Sequence, residues 1–133
     1  MVELHGWATI REFFTLQDDD SDEKIEQIIG ELGDTISRIH WGNGLLDLRA
    51  VNGEYFLTVN IFTNHRDDRV GDALRLFQHI AKVAPGSYGL LYLNDDEDQS
   101  GHENEFLVYL LAKGTLTEHK DQLLSPLIPT VEE

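Results

Sequence analysis

Carboxylates are the functional side chains that cluster most clearly in this sequence, and the clusters lie in two segments. Residues 17–23 contain five acids, among them Asp18, Asp19 and Asp20, and residues 94–105 contain six acids and no Lys or Arg. Clustered carboxylates can bind cations, transfer protons or attract a basic partner. The alternative for both segments is a solvated surface loop. The candidate binding residues of the second segment are Asp95, Asp96, Glu97, Asp98, Glu103 and Glu105.

Part of the second segment resembles half of a calcium-binding loop. Asp96, Asp98, Ser100 and Gly101 fit the opening positions, but Leu107 stands at the twelfth position, where a bidentate Glu is needed. The six histidines are never three or four residues apart, the spacing that helical zinc sites favour, and the chain contains no cysteine. We therefore predict no metal site and no cofactor.

The sequence also lacks the signatures of catalysis. It has no G-x-S-x-G nucleophile elbow, no glycine-rich phosphate loop and no cysteine nucleophile. Its acids lie in contiguous runs rather than as a pair in an apolar setting, so no general acid or base stands out. We predict that the protein is not an enzyme.

The charge balance narrows the class of partner. The formal net charge is −15, from 25 acidic and 10 basic residues. Such a field repels nucleic acid and anionic membranes and attracts basic partners, although solubility or a generally acidic proteome would also account for it. No secretory signal and no stretch of membrane-spanning length are visible. We therefore expect a single cytoplasmic domain over residues 1–133 that binds neither nucleic acid nor membrane.

The elements that position these residues follow from hydrophobic periodicity. A β-hairpin is predicted over residues 45–63, because Asn52-Gly53 joins two alternating apolar runs and suits a type I′ turn. The remaining patterns predict the order β-α-β-β-α-β, continued by one or two strands, and an irregular tail after Ser125. The other predicted elements are strands at 2–14, 87–93, 106–112 and 115–118, and helices at 23–40 and 67–84.

This order predicts an α+β fold. Two helices would cover one face of an antiparallel or mixed sheet, giving a two-layer sandwich with a ferredoxin-like core. The opposite face would show Trp7, Phe56 and other mixed side chains, as a docking surface or dimer contact, unless the extra strands or the tail cover it. Trp7, Trp41 and Tyr55 are candidate binding anchors, with packing in the core as the alternative for each.

Three stretches of this sequence resemble a known family. They are residues 3–11 (ELHGWATIR), the acid-rich segment after them, and the Asn52-Gly53 hairpin with Tyr55, Phe56 and Leu57. They are similar to the bacterial immunity protein 7 family, small α+β proteins encoded beside polymorphic or contact-dependent toxins. The resemblance implies a non-enzymatic protein that binds and neutralises a toxin domain. It implies no defined active site, so it gives no catalytic residues.

Together these observations favour an immunity protein whose acidic loops occlude a basic cleft on a cognate toxin domain. A nuclease would fit the charge best. The candidate contacts are Asp18, Asp19 and Asp20, the six acids of the second segment, and Trp7. The alternative is a small ferredoxin-like regulatory or assembly module that forms a homodimer through its open sheet face.

Overall fold

The structure, a computed structural model, describes residues 1–13 and 22–128. It contains six strands and two helices in this part of the chain. In chain order they are β1 (Val2–Ile10), α1 (Asp22–Ser37), β2 (Leu45–Val51), β3 (Glu54–Thr63), α2 (Asp68–Val83), β4 (Tyr88–Asp95), β5 (Leu107–Ala112) and β6 (Thr115–Lys120).

All six strands form one open sheet in the order β2-β3-β1-β4-β5-β6. Every neighbouring pair of strands is antiparallel. The α+β class is therefore confirmed, and of the two predicted alternatives the sheet is antiparallel rather than mixed. The two strands after β4 extend the sheet at one edge. This arrangement leaves β2 and β6 as edge strands.

The core lies between the sheet and the two helices. Alternate residues of β1 and β3, such as Leu4, Ala8 and Leu57, are buried because side chains of a strand point to opposite faces in turn. They form one cluster with Leu32 of α1 and Phe77 of α2. Both helices therefore contribute to the same core, as the apolar stripes at helical spacing predict.

The central hairpin forms as predicted. Asn52 and Gly53 have φ angles of 51° and 79°, the left-handed values that a type I′ turn requires at both central positions. Val51 and Glu54 face each other across this turn, which sets the register of β2 against β3.

Two predicted boundaries need correction around β1. The strand ends at Ile10 rather than at residue 14, because the Arg11 N–H donates to Ser87 Oγ instead of continuing the ladder; Phe14 lies outside the described residues. Conversely, β4 runs on to Asp95, two residues into the predicted acidic segment, because Asp95 pairs with Val2. Contacts between residues that are distant in the sequence decide both ends.

Smaller corrections apply elsewhere. Helix α1 ends at Ser37 rather than at residue 40, because the next two N–H groups donate to carbonyls only three residues back and tighten the turn. Strand β6 continues to Lys120 instead of ending at residue 118. Residues 121–128 contain no helix or strand, so the irregular tail predicted after Ser125 is confirmed over residues 126–128.

Candidate functional site

The six acids predicted in the second segment lie together at one end of the sheet. We call residues 95–105 the acidic loop; it leaves β4 and returns as β5, which pairs Leu107 with Leu93. Its base is fixed by Asn94, which is 7% exposed and donates through Nδ2 to the carbonyl oxygens of Glu103 and Glu105, at 3.3 and 2.8 Å. The loop is thus held by buried hydrogen bonds as well as by the strands.

Basic residues and the chain's terminal amine contact the start of the acidic loop. The Met1 amine donates to Asp96 Oδ1 at 2.6 Å, and the hydrogen bond raises the pKa of that amine. His65 Nδ1 lies 3.0 Å from Glu97 Oε1, and Arg66 Nη1 lies 3.9 Å from Asp95 Oδ2. The Met1 amine and the Arg66 guanidinium offset part of the local negative charge of the acidic loop.

The second half of the loop is ordered by its own residues. Asp98 accepts hydrogen bonds from the N–H and the hydroxyl of Ser100, at 2.8 and 2.6 Å, which holds the pKa of Asp98 below its usual range. His102 Nδ1 contacts Glu105 Oε1, and this hydrogen bond raises the pKa of His102. Because these contacts are local, the loop can present its carboxylates in a preformed arrangement.

Trp7 lies apart from the acidic loop. Val2 pairs with Asp95, whereas Trp7 pairs with Leu90, five residues farther along β1. At about 3.4 Å per residue, this separates the two positions by roughly 17 Å along the strand. The structure therefore brings the six acids together without Trp7, and Asp18, Asp19 and Asp20 lie outside the described residues.

The open face of the sheet carries a small aromatic cluster around Trp7. Trp7, Phe56 and Tyr88 are 43%, 37% and 39% exposed, so neither the extra strands nor residues 121–128 cover this face. The Trp7 and Tyr88 rings meet edge to face with centroids 6.1 Å apart. Arg11 lies 5.3 Å above the Tyr88 ring and donates to Glu54. The face therefore presents exposed aromatic rings beside an Arg11–Glu54 ion pair.

Two of the three candidate aromatic anchors are packed inward. Trp41 is 7% exposed and donates through Nε1 to the Asn60 carbonyl at 3.3 Å. Tyr55 is partly buried and packs against the core. For Trp41 the alternative of packing in the core is correct, because the turn between α1 and β2 places its indole against β3. Of the three candidates, only Trp7 has an exposed ring.

Other site types receive no support from the described part of the chain. In residues 1–13 and 22–128, no three His, Asp or Glu side chains converge in a way that could hold a metal ion. Neither described helix has the length and apolarity needed to cross a membrane.

Comparison with known families decides what kind of protein this is. The family model for immunity protein 7 matches residues 1–133. The chain belongs to the immunity protein 7 family. An immunity protein acts against a toxin, so membership indicates a toxin protein as the partner and a non-enzymatic inhibitory role. No curated protein and no solved structure matches this immunity protein.

Reasoning from the sequence missed the basic groups beside the acidic loop of this immunity protein. His65 and Arg66 follow β3, whose last residue Thr63 pairs with Val2, the residue that also pairs with Asp95. Only the strand pairing shows that His65 and Arg66 lie beside the acidic loop. The sequence patterns also did not single out Glu12, a buried acid that is 5% exposed. Its Oε1 lies 3.2 Å from Lys24 Nζ, at the end of β1 away from the acidic loop.

Proposed function

We propose that this immunity protein neutralises its toxin by covering a basic substrate groove with the acidic loop. A nuclease domain is the toxin class that fits best, because its groove must attract a phosphate backbone. The cell's cytoplasm is the proposed site of action. The observation that carries the proposal is the preformed cluster of six carboxylates in a segment without Lys or Arg.

Exposure and order both support this use of the acidic loop. The side chains of Asp96 and Glu97 are 56% and 54% exposed, so they are available to a partner. Their contacts with the Met1 amine and with His65 are exposed as well and can be exchanged for stronger contacts at little cost. A loop that is ordered before binding loses less conformational entropy when it meets the toxin.

The charge of the whole chain would accelerate the encounter. A net charge of −15 facing a basic groove steers association, which raises rate constants roughly 10- to 1000-fold at low salt. Steering alone does not hold a complex together, so a tight complex also needs buried contacts. Trp7 can supply one only if the toxin also extends over the open face, roughly 17 Å away.

Neutralisation of the exposed carboxylates tests the proposal. The triple variant Asp96→Asn, Glu97→Gln, Asp98→Asn keeps the size of each side chain and leaves Asp95, whose Oδ1 accepts the Glu97 N–H, in place. With the toxin domain encoded by the adjacent gene, stopped-flow association should slow about tenfold at low ionic strength. Its dependence on salt should become weaker.

A control with the same charge change separates local contact from overall charge. Glu26, Glu31 and Asp34 are exposed on α1, away from the acidic loop, and can be replaced by Gln, Gln and Asn. The control should slow association much less. Equal slowing by both variants would mean that only net charge matters, and no slowing by the loop variant would remove the acidic loop from the mechanism.

A second candidate function rests on the open face. The exposed cluster of Trp7, Phe56 and Tyr88 would suit a ferredoxin-like regulatory or assembly module that dimerises through this face. The strand order β2-β3-β1-β4, with a helix in each crossover, supports the ferredoxin-like description of the core. Replacement of Trp7 by Ser should then abolish a dimer, whereas the toxin proposal predicts no change in self-association.

A further inference from the structure

Strand β2 is an unfinished edge of the sheet. None of its residues is buried, and Leu45 and Val51 are 50% and 42% exposed. A groove of about 410 Å³ runs between β2 and α1, with Ile29, Ile36 and Leu48 among its lining residues. Among residues 1–13 and 22–128, β3 is the only strand that pairs with β2, and an edge strand of this kind with exposed apolar side chains is a template for another strand.

The hairpin fixes which backbone groups of β2 are free. Val51 and Glu54 flank the two-residue turn and form a hydrogen-bonded pair, and such pairs alternate along an antiparallel ladder. Asp47, Arg49 and Val51 therefore direct their N–H and C=O groups toward β3. Residues 46, 48 and 50 direct theirs outward, away from the sheet.

The sequence of β2 is complementary to itself when it is read in the opposite direction. If two copies pair antiparallel about Leu48, Asp47 of each copy faces Arg49 of the other, and Leu45 faces Val51. The central Leu48 residues then exchange hydrogen bonds, because their groups point outward. The Asp–Arg pairs fall at non-hydrogen-bonded positions, where facing side chains come closest.

Neighbouring registers are disfavoured by the same two charges. A shift centred on Asp47 would place Asp47 opposite itself, and a shift centred on Arg49 would place Arg49 opposite itself. Directly facing like charges destabilise a strand pair. Only the register about Leu48 turns both charges into attractive contacts while keeping the outward backbone groups paired.

We propose that this immunity protein forms a homodimer through antiparallel pairing of β2, in the register that places the two Leu48 residues opposite each other. The two sheets become one continuous sheet across the twofold axis. Leu46 and Leu48 of each copy lie on the helix-facing side, where the groove beside α1 offers Ile29 and Ile36 for contact. Asp47 and Arg49 lie on the open face, where Arg49 Nε also donates to Asp47 Oδ2 of its own copy at 2.8 Å, whereas the aromatic cluster around Trp7 and the acidic loop take no part.

Charge reversal tests the pairing directly. In the full chain, Asp47→Arg alone or Arg49→Asp alone places like charges opposite each other at two symmetric positions. Each single variant should weaken dimerisation about tenfold or more, and the double variant should restore it. Sedimentation velocity over a wide concentration range measures the dimer, and far-UV circular dichroism confirms that each variant is folded.

Two controls make the outcome decisive. Arg75→Asp, on α2, changes the net charge by the same amount as Arg49→Asp and should leave the dimer intact. In the unaltered protein, the amide hydrogens of Leu48 and Ala50 should exchange slowly, because they are paired in the dimer, and their protection should fall on dilution.

Several results would overturn the proposal. The unaltered chain could be monomeric at high concentration with rapidly exchanging β2 amides, or the single variants could remain dimeric. Loss of the dimer in Trp7→Ser but not in the β2 variants would assign the interface to the open face. Protection of the β2 amides only after addition of the toxin would assign this edge to a strand of the toxin instead.

Discussion

Substitution of Asp67 by Ala should destabilise the protein by removing the cap of helix α2. Asp67 has extended backbone angles, φ −130° and ψ −173°, and its Oδ1 accepts the Arg69 N–H at 3.0 Å. The carboxylate also accepts from the Arg69 guanidinium at 2.7 Å. Arg69 donates in turn to the Trp41 carbonyl at 2.9 Å, which ties the start of α2 to the turn before β2.

The expected cost of Asp67→Ala is about 1 to 1.5 kcal/mol in the free energy of unfolding at pH 7. Loss of an N-cap accounts for about 1 kcal/mol. The ion pair adds only a few tenths, because the Asp67 side chain is 41% exposed and solvent screens it. For a chain of this length the melting temperature should fall by roughly 4 °C. Asp68→Ala, in the first turn but not at the cap, is the matched control and should cost about 0.5 kcal/mol or less.

The pH dependence of this effect has a definite sign. The hydrogen bonds from Arg69 lower the pKa of Asp67 below its ordinary value of 3.8, so the folded state favours the ionised carboxylate. The stabilisation is fully present above pH 3.8 and is lost as the pH falls through the lowered pKa. Urea titrations from pH 7 downward should show the two proteins converging. A cost below about 0.3 kcal/mol, an equal cost for Asp68→Ala, or a difference that grows in acid would refute the capping role.

Three further results are expected. Gly89→Ala should lower the free energy of unfolding in urea by about 1 to 3 kcal/mol, because its Cβ would lie 2.1 Å from a backbone carbonyl oxygen of β1. Gly30→Ala has open space on an exposed helix and should raise that free energy by up to about 1 kcal/mol. Burial and a hydrogen bond to a glutamate of β6 raise the pKa of Tyr109 to about 12. Ultraviolet titration should therefore show a tyrosine that ionises late, and Tyr109→Phe should remove that step. The contribution of Tyr109 to stability should fall as the pH rises from about 10 toward 12. Proton NMR should find the pKa of His102 above its ordinary 6.5, and Glu105→Gln should return it toward that value.

Local patterns predicted the parts of the fold that depend on local rules. The alternation in β1 placed Leu4 and Ala8 on the core face and Trp7 on the other, because side chains of a strand change face at every residue. The Asn52-Gly53 turn was predictable because few residues adopt two consecutive positive φ angles. The same reasoning found the open face, which follows from alternation in the hairpin.

Contacts between distant residues were beyond the reach of the sequence. The end of β1 depends on the hydrogen bond from Arg11 to Ser87, and the extra length of β4 depends on the pairing of Asp95 with Val2. No local window of the sequence contains either pair of residues. The sequence predicted the acids of the candidate site as a cluster, but it could not predict the groups that contact them. Consecutive acids are visible in sequence, but the Met1 amine and His65 lie 95 and 32 residues from the carboxylates they contact.

The two proposed surfaces lie far enough apart to act together. Strand β2 is one edge of the sheet, whereas the acidic loop joins β4 and β5, with β3 and β1 in between. At about 4.8 Å between neighbouring strands, β4 lies roughly 14 Å from β2, so a dimer paired along β2 leaves both acidic loops accessible. If both proposals hold, light scattering should find two toxin domains bound to each dimer. The variant Asp47→Arg should bind one toxin domain as a monomer and still neutralise it, and loss of toxin binding in this variant would instead place β2 in the toxin interface.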